Sequence, residues 1–552
     1  MASTTASRAP PLGSSSNRST PSNVVRIVFF ALVLDLLAFT MPLPLFPKII
    51  DDFVQHEASA VPTFGSNSRA TFLSKTLSTV RRLRSYLLSS SDVTSSTPAI
   101  PSNFDLTLLG GLLGSLFSFC QFLISPQIGK WSDRVGRKPV LLVSMVGNLF
   151  SAALWLVSAS FGTYACSRIV GGLSEGNVQL SIACISDVTT PSARSRSLAL
   201  VGIAFSLAFI LGPSLGAYFA STDLFRLGTD RTIQVPAWAW PFGTRTPAGQ
   251  RELRLNSYAV PAAITLALLA VETLFLTLCL PETKGWVKQA EATPGESEGH
   301  KKDDREKKEA GEVQARRSVQ ERRNRLARFG WVHFAFLFFF SGAEVTITFL
   351  THNFFDYSNA QNGRLLGFIG ILSSLVQGGY VRRASSTRGR TFALAVSGVR
   401  ICGVSLFLLS CVPGYSRDEP DSVGPLVCLY LGCAGFAYVS ATVVNSLNAL
   451  ASLETDSDPI SPTTTTTTTD APRSSSDEVI EKGQALGAFR SKGQLGRALG
   501  PLFVTALYWC ASPGVAYGTC TAGMVAIATY MLSWKNGEER EEGRARASRK
   551  VE

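Results

Sequence analysis

The feature that most limits what this chain can fold into is a set of long segments without a single charge. Leu106 to Ile128, Pro139 to Phe161 and Ser197 to Ala220 contain no Asp, Glu, Lys or Arg. Each is longer than the roughly 18 apolar residues that a bilayer-crossing helix needs. A helix of a soluble protein would be shorter and would carry one polar face. The chain has 552 residues, 45% hydrophobic and 17% charged, with the charges gathered between and beyond these segments. That distribution describes a polytopic membrane protein rather than a string of soluble domains.

A hydropathy window of about 19 residues places six spans near Val24 to Pro47, Leu106 to Ile128, Pro139 to Phe161, Gly162 to Ser186, Ser197 to Ala220 and Tyr258 to Leu280. Six more follow near Phe329 to Phe355, Gln361 to Val381, Thr391 to Val412, Val423 to Ala451, Gly487 to Ala511 and Val515 to Trp534. The expected fold is an all-α membrane protein with twelve transmembrane helices in two six-helix halves. Residues 1–23 form a polar cytosolic tail, too rich in Ser, Thr and Pro for a signal peptide, so the first span should stay in the mature chain. The N-terminal half covers 24–280 with an extracytosolic insertion at 48–105. A charged cytosolic linker at 281–328 cannot bury enough surface to fold alone. The C-terminal half covers 329–534 with a cytosolic insertion at 452–483, and 535–552 is a second cytosolic tail. Both insertions are Ser/Thr-rich, the second with a Thr tract at Thr463 to Thr469, and both are expected to be loosely structured. Val80 to Leu88 is open to two readings, a short basic surface helix or, as the favoured one, a solvated loop.

The formal net charge is +12, yet the basic residues sit in short loops, which sets orientation rather than nucleic-acid binding. Lys130, Arg134, Arg137 and Lys138 follow the second span, Arg194 and Arg196 the fourth, and Arg382, Arg383, Arg388 and Arg390 the eighth. Both termini are then cytosolic. Arg81, Arg82 and Arg84, and the segment Arg226 to Arg254, run against the pattern, but long loops translocate largely regardless of charge. The cysteines, such as Cys120, Cys184 and Cys402, fall within spans without metal-ligand spacing and read as small packing residues. No phosphate-binding loop for ATP is present. Neither a cofactor, a metal nor an enzymatic activity is expected.

Between the second and third spans stands GKWSDRVGRKPVLL, Gly129 to Leu142. Gly129 and Gly136 permit a tight turn and close helix approach, Pro139 suits a helix start, and Asp133 is free to face a helix N-terminus or an arginine. An anchor needs neither the acid nor the glycines. The segment closely resembles the loop motif of the major facilitator superfamily, and this resemblance implies that Gly129, Asp133, Arg134, Gly136, Arg137 and Lys138 help latch the two halves, together with an acid at the end of the fourth span, here Asp187. The fifth span carries LGPSLGAY, Leu211 to Tyr218, with Gly212, Pro213 and Gly216. It resembles the Gly-Pro motif of antiporter branches, although a purely structural kink is an equal rival. Leu499-Gly500-Pro501 echoes Leu211-Gly212-Pro213 in the penultimate helix of the other half, as a duplicated transporter would require. Gly378-Gly379 with Arg382 and Arg383 stands where the loop motif should repeat, without the acid. RIVGGLSEGN (Arg168 to Asn177), FSGAEVTITFLTHNFF (Phe340 to Phe355) and GAFRSKGQLGRALGP (Gly487 to Pro501) look like segments of the animal tetracycline transporter-like proteins, near the drug:proton antiporter branch.

Ionisable groups in mid-membrane cost roughly 2.5 to 3.5 kcal/mol on insertion scales, so they should face a cavity or a partner. Asp35, Glu175, Glu272 and Glu344 meet that description, against Arg168, Arg400 and Arg497. Arg168, Gly172, Glu175 and Gln179 form one polar stripe and Glu344, Thr348 and Thr351 another. The favoured reading is a wet pathway, with charge pairing between helices as the rival. Arg497 is expected to be deep, while Arg490 and Lys492 snorkel to the cytosol. The candidate coupling and substrate residues are thus Asp35, Arg168, Glu175, Glu344 and Arg497, with Asp35 as the leading proton carrier. The resemblance implies proton-coupled antiport of a small amphipathic organic solute, drug or organic anion, by a monomer in the plasma membrane or an internal vacuolar or endosomal membrane. Two alternatives stay open. Leu280-Pro-Glu-Thr-Lys-Gly285 resembles a sugar-porter signature, which suggests a sugar or nutrient carrier, and a non-transporting sensor could share the fold.

Overall fold

Inside a bilayer no water satisfies a peptide group, so each crossing segment must close its own hydrogen bonds as a helix. A computed structural model of the chain obeys this rule. It describes residues 20–42, 45, 49, 53, 72–87, 103–158, 160–221, 232–235, 244–245, 251–254, 259–286, 319–384, 387–418, 423–456 and 480–548. Among these, 10 helices are long and apolar enough to cross a membrane. Spans one, two, three, five and six contain Pro21–Thr40, Asn103–Val135, Arg137–Leu156, Pro191–Ser221 and Ala259–Cys279. Spans seven to ten and span twelve are Val319–Phe355, Asn359–Leu375 with its continuation to Ala384, Arg388–Asp418, Gly424–Glu454 and Pro513–Ser548. Two further helical segments complete twelve. Span four is split into Phe161–Ser174 and Asn177–Val188, and span eleven, Lys482–Cys510, carries Arg490, Lys492 and Arg497 in its length.

The halves repeat each other's packing. Span one lies on span five as span seven lies on span eleven, and span three touches spans four and six as span nine touches ten and twelve. Gly212 and Gly216 press against Thr40 and Met41 of span one so closely that a Cβ would collide, and Thr40 Oγ1 donates to the Ala208 carbonyl at 2.9 Å. Gly500 presses in the same way on the Phe338 carbonyl of span seven. Pro213 and Pro501 both sit inside continuous helices, so the Leu-Gly-Pro echo marks one packing joint used twice. Between the halves, span two meets span eleven and span eight meets span five.

Three sequence expectations need correction. Val80 to Leu88 is not a solvated loop, because Phe72–Leu87 forms a helix whose Leu73, Leu77 and Val80 are buried. Their spacing makes a stripe, and Phe72 stacks on Phe161 with ring centroids 6.0 Å apart. The seventh helix begins at Val319, inside the expected linker. Its Arg322 and Arg325 are buried there, with Arg322 Nε donating to the Glu454 carbonyl at 3.0 Å and both Arg325 and Arg388 paired with the Glu454 carboxylate. The twelfth helix runs past Trp534 to Ser548. A small antiparallel sheet, β1 (Thr232–Val235), β2 (Thr244–Arg245) and β3 (Arg251–Arg254) in the order β1-β3-β2, lies between spans five and six. Residues 1–19, 287–318 and 457–479 lie outside the described residues.

Candidate functional site

Two groups of polar side chains lie between the halves. The first is at the end of the bundle that carries Gly129 to Lys138, the motif end. Gly136 has φ 123°, a setting that glycine takes at little cost, and it turns span two directly into span three. Asp133 thereby reaches across the seam. Its two oxygens accept the backbone N–H groups of Gly483 at 2.8 Å and Gln484 at 2.7 Å. These belong to the first turn of span eleven, where a helix leaves its N–H groups unpaired and its dipole favours an anion.

Arg137 donates to Asp133 at 2.8 Å and to Asp187, at the end of span four, at 2.9 Å. Lys482 Nζ stands 3.4 Å from Asp187 and 3.2 Å from Asp456. Arg194 Nη1 donates to Asp456 at 2.5 Å and to the Ser452 carbonyl at 3.2 Å, while its Nη2 donates to the Ser186 and Thr189 carbonyls, each at 3.1 Å. One guanidinium thus ties the last turns of spans four and ten, where a cation meets the negative helix ends. Backbones close the rest of the seam. Gly129 meets Gly483, Gly487 meets the Ser125 carbonyl and Pro126, and Ser491 Oγ donates to the Phe122 carbonyl at 2.7 Å.

The other members of the motif lie beside this seam. Arg134 is exposed, and its carbonyl accepts from Lys284 Nζ at 2.9 Å. Lys138 Nζ donates to the Thr277 carbonyl at 2.8 Å. Glu282, from the Pro-Glu-Thr-Lys segment, accepts the backbone N–H groups of Arg137 at 2.9 Å and Lys138 at 3.1 Å. That segment therefore works here as a cap for the third span, a role that needs no sugar.

The second group sits one helical turn further from the motif end. Gln179 Nε2 of span four donates to the same Ser125 carbonyl, at 3.0 Å, that Gly487 of span eleven approaches. One turn beyond that shared contact are Glu175 on span four and Arg490 on span eleven. Span four is interrupted at Glu175-Gly176. Glu175 Oε2 accepts from Asn148 Nδ2 of span three at 3.1 Å, and Asp35 Oδ1, on a residue only 3% exposed, accepts from Asn177 Nδ2 at 2.8 Å. Glu272 of span six is buried within electrostatic reach of Asp35 and Glu175. Arg490 acts on both Asp35 and Glu175, and Arg497 acts on Glu344. His333 stacks on Phe489, with ring centroids 4.6 Å apart, within reach of both arginines.

Among the described residues no direct ion pair joins these carboxylates to these guanidiniums. Glu175, Glu344, Arg490 and Arg497 keep partial exposure although they lie mid-span, so they face an opening between the halves. At the motif end the seam is closed by these hydrogen bonds and backbone contacts.

Of the sequence candidates, Glu175, Glu344 and Arg497 come to this opening, while Asp35 lies buried behind them on Asn177. Arg168 does not join Arg490 and Arg497, because its guanidinium lies over the rings of Trp155 at 5.8 Å and Tyr164 at 5.4 Å. Arg490 was expected to snorkel and instead faces inward with the acids, while Lys492 does turn outward, over Trp331 at 5.0 Å. Thr351 is fully buried and donates to Asn362 at 2.5 Å, so the stripe on span seven is not wet along its length. Sequence reading missed Asn148 and Asn177, the amides that hold the acids, and left Glu272 outside the site. The triplet Glu175-Gly176-Asn177, with glycine and a capping residue in mid-span, was the available signal.

Paired six-helix halves with ionisable groups buried at their interface define a membrane carrier. Comparison with known proteins gives the family. Residues 28–457 match the Major Facilitator Superfamily, and the chain belongs to it. Major facilitator superfamily domain-containing protein 10 of Mus musculus is 31% identical over 518 residues, covering 93% of this chain and 92% of its own length. A crystal structure of the human organic anion transporter MFSD10 (TETRAN) superposes with a TM-score of 0.66 at 27% identity, over 93% of this chain and 100% of that one. The class E tetracycline resistance protein of Escherichia coli is 31% identical over 108 residues, 20% of this chain and 27% of its own. The chain is thus an integral multi-pass membrane protein of a transporter family rather than an enzyme.

Proposed function

We propose that this protein carries small amphipathic organic anions across the membrane by alternating access, as a monomer, with protons coupled to the movement through Asp35 and its neighbour Glu175. The observation that carries this reading is the mid-span gathering of Asp35, Glu175 and Glu272 near Arg490, with Glu344 near Arg497, where Asp35 and Glu175 are each held by a single amide donor and, among the described residues, no direct ion pair neutralises the set. Charges so placed are costly in a membrane protein and mark a solute or ion pathway. The similarity to a transporter described as handling organic anions supports the solute class. Short-loop Lys and Arg residues make the motif end cytosolic, so the Asp133 seam acts as a lock on the cytosolic side. Exchange against protons is the form of coupling that the resemblance to drug:proton antiporters brings, and competition for Asp35 would give it for a cationic solute.

Purified protein in proteoliposomes tests the proposal. An imposed pH gradient should drive accumulation of a solute in the wild type. Asp35→Asn should lower that accumulation at least about tenfold, with gradient-free exchange the less affected measure. Undiminished proton-driven accumulation by Asp35→Asn would remove Asp35 from the coupling role and make Glu344→Gln the next variant.

A further inference from the structure

The groups around the opening form a short and unusual set. Span one brings Asp35, span four Glu175, span six Glu272, span seven Glu344 and His333, and span eleven Arg490 and Arg497. Span three adds only the amide of Asn148, and span two faces them with the Ser125 carbonyl layer. Two buried acceptors, Asn177 Oδ1 and Glu272 Oε2, have no donor among the described residues, and a proton on a neighbouring carboxyl group would supply one. Arg490 keeps partial exposure to the opening one turn from the Ser125 contact, at the level of Glu175.

We infer that Arg490 makes the direction of coupling depend on the charge of the solute. An organic anion can take the guanidinium of Arg490 only when Glu175 and Asp35 are protonated and their charges no longer compete for it, so anion and proton bind together and move in the same direction. An organic cation competes with the proton for those carboxylates and moves against it. Both outcomes follow from one linkage, because a proton that removes a competing negative charge raises anion affinity, and bound anion raises proton affinity by the same factor. The inference rests on the proposed proton-coupled carrier and adds the sign of the coupling. It needs no covalent step.

Two permanently charged probes separate the cases without passive acid or base diffusion, naphthalene-1-sulfonate and 1-methyl-4-phenylpyridinium. With the full-length protein in nanodiscs, sulfonate affinity should fall by about tenfold per pH unit for each carboxylate that ionises, up to about a hundredfold for both, and pyridinium affinity should rise. Glu175→Gln should lower the slope to about tenfold per pH unit, the share of Asp35. Arg490→Gln should weaken sulfonate at least about tenfold without weakening pyridinium, and Arg490→Lys should restore part of the loss. In proteoliposomes, external acid should drive sulfonate in and internal acid should drive pyridinium in. Sulfonate binding that is flat in pH, or sulfonate uptake against the proton flux, overturns the inference and leaves the carrier standing. Sulfonate that fails to bind at any pH overturns anion carriage itself, and the inference with it.

Discussion

Span two meets span eleven through a carboxylate set on two helix N–H groups and through backbone pressed on backbone at Gly129, Gly483 and Gly487. Span eight meets span five, the corresponding pair of the other half, through Ser206 to Ser373 at 3.1 Å, Ser206 to Gln377 at 3.4 Å and Gly202 under the amides of Gln377 and Asn445. The first seam concentrates charge at a helix tip and is lost as a unit when the tip moves away. The second consists of neutral hydrogen bonds, each contributing ~1 kcal/mol net, that side chains can exchange as the helices slide. A duplicated scaffold has thus received a latch on one seam and a bearing on the other. The sequence shows the same division, since the end of span eight has Gly378, Gly379, Arg382 and Arg383 but no acid. The last turn of that helix, Val376–Val381, is widened into a π-helix, a local form common at functional sites.

The contrast breaks most readily at Asp133. Asp133→Asn keeps the shape but leaves one acceptor oxygen, so one bond to span eleven loses its charge and the other is replaced by two facing donors; charge-assisted bonds contribute ~1.5 to 3 kcal/mol each. Hydrogen exchange at the Gly483 and Gln484 amides should accelerate at least about tenfold, with slower transport by a protein that still inserts. Unchanged exchange would mean the carboxylate is not what holds the seam. Gly487→Ala comes next. Its Cβ would stand 2.5 Å from the Ser125 carbonyl oxygen and 3.2 Å from Pro126 Cα, atoms that no rotamer change can move, so thermal unfolding should show a loss of about 1 to 3 kcal/mol. Gly202→Ala should have the smallest effect, under about 1 kcal/mol, because the atoms it meets are the ends of the Gln377 and Asn445 side chains. Equal destabilisation by the two alanines would erase the distinction between latch and bearing.

What the sequence revealed of the latch was local. The glycines, the acid and the basic residues of Gly129 to Lys138 stand within one short segment, and an unpaired acid beside a turn calls for a helix end or an arginine. Its partners were hidden because they are backbone N–H groups at Gly483 and Gln484, which leave no side-chain signature. Twelve helices were legible from hydropathy, yet averaging over a window erased the break at Glu175-Gly176. Arg490 was misplaced for a related reason. Counted from an apolar boundary at Gly487 it looks superficial, whereas the helix starts at Lys482 and Arg490 shares an inward face with Arg497 seven residues on. Asn148 and Asn177 escaped notice because a search for buried charge passes over neutral amides, although these set where the carboxylates point.

The bridge between Asp456 and Lys482 has a consequence for the insertion between spans ten and eleven. The chain leaves the bundle at the first of these residues and returns at the second, and their side chains stand 3.2 Å apart. Both belong to the same half. Both ends of the insertion are therefore in one half, whereas residues 287–318 connect the two halves in the chain. Closing a longer loop over a fixed base costs only ~0.6 kcal/mol per doubling of its length. A reporter domain spliced into 457–479 should therefore leave solute flux unchanged, as uptake into proteoliposomes would show.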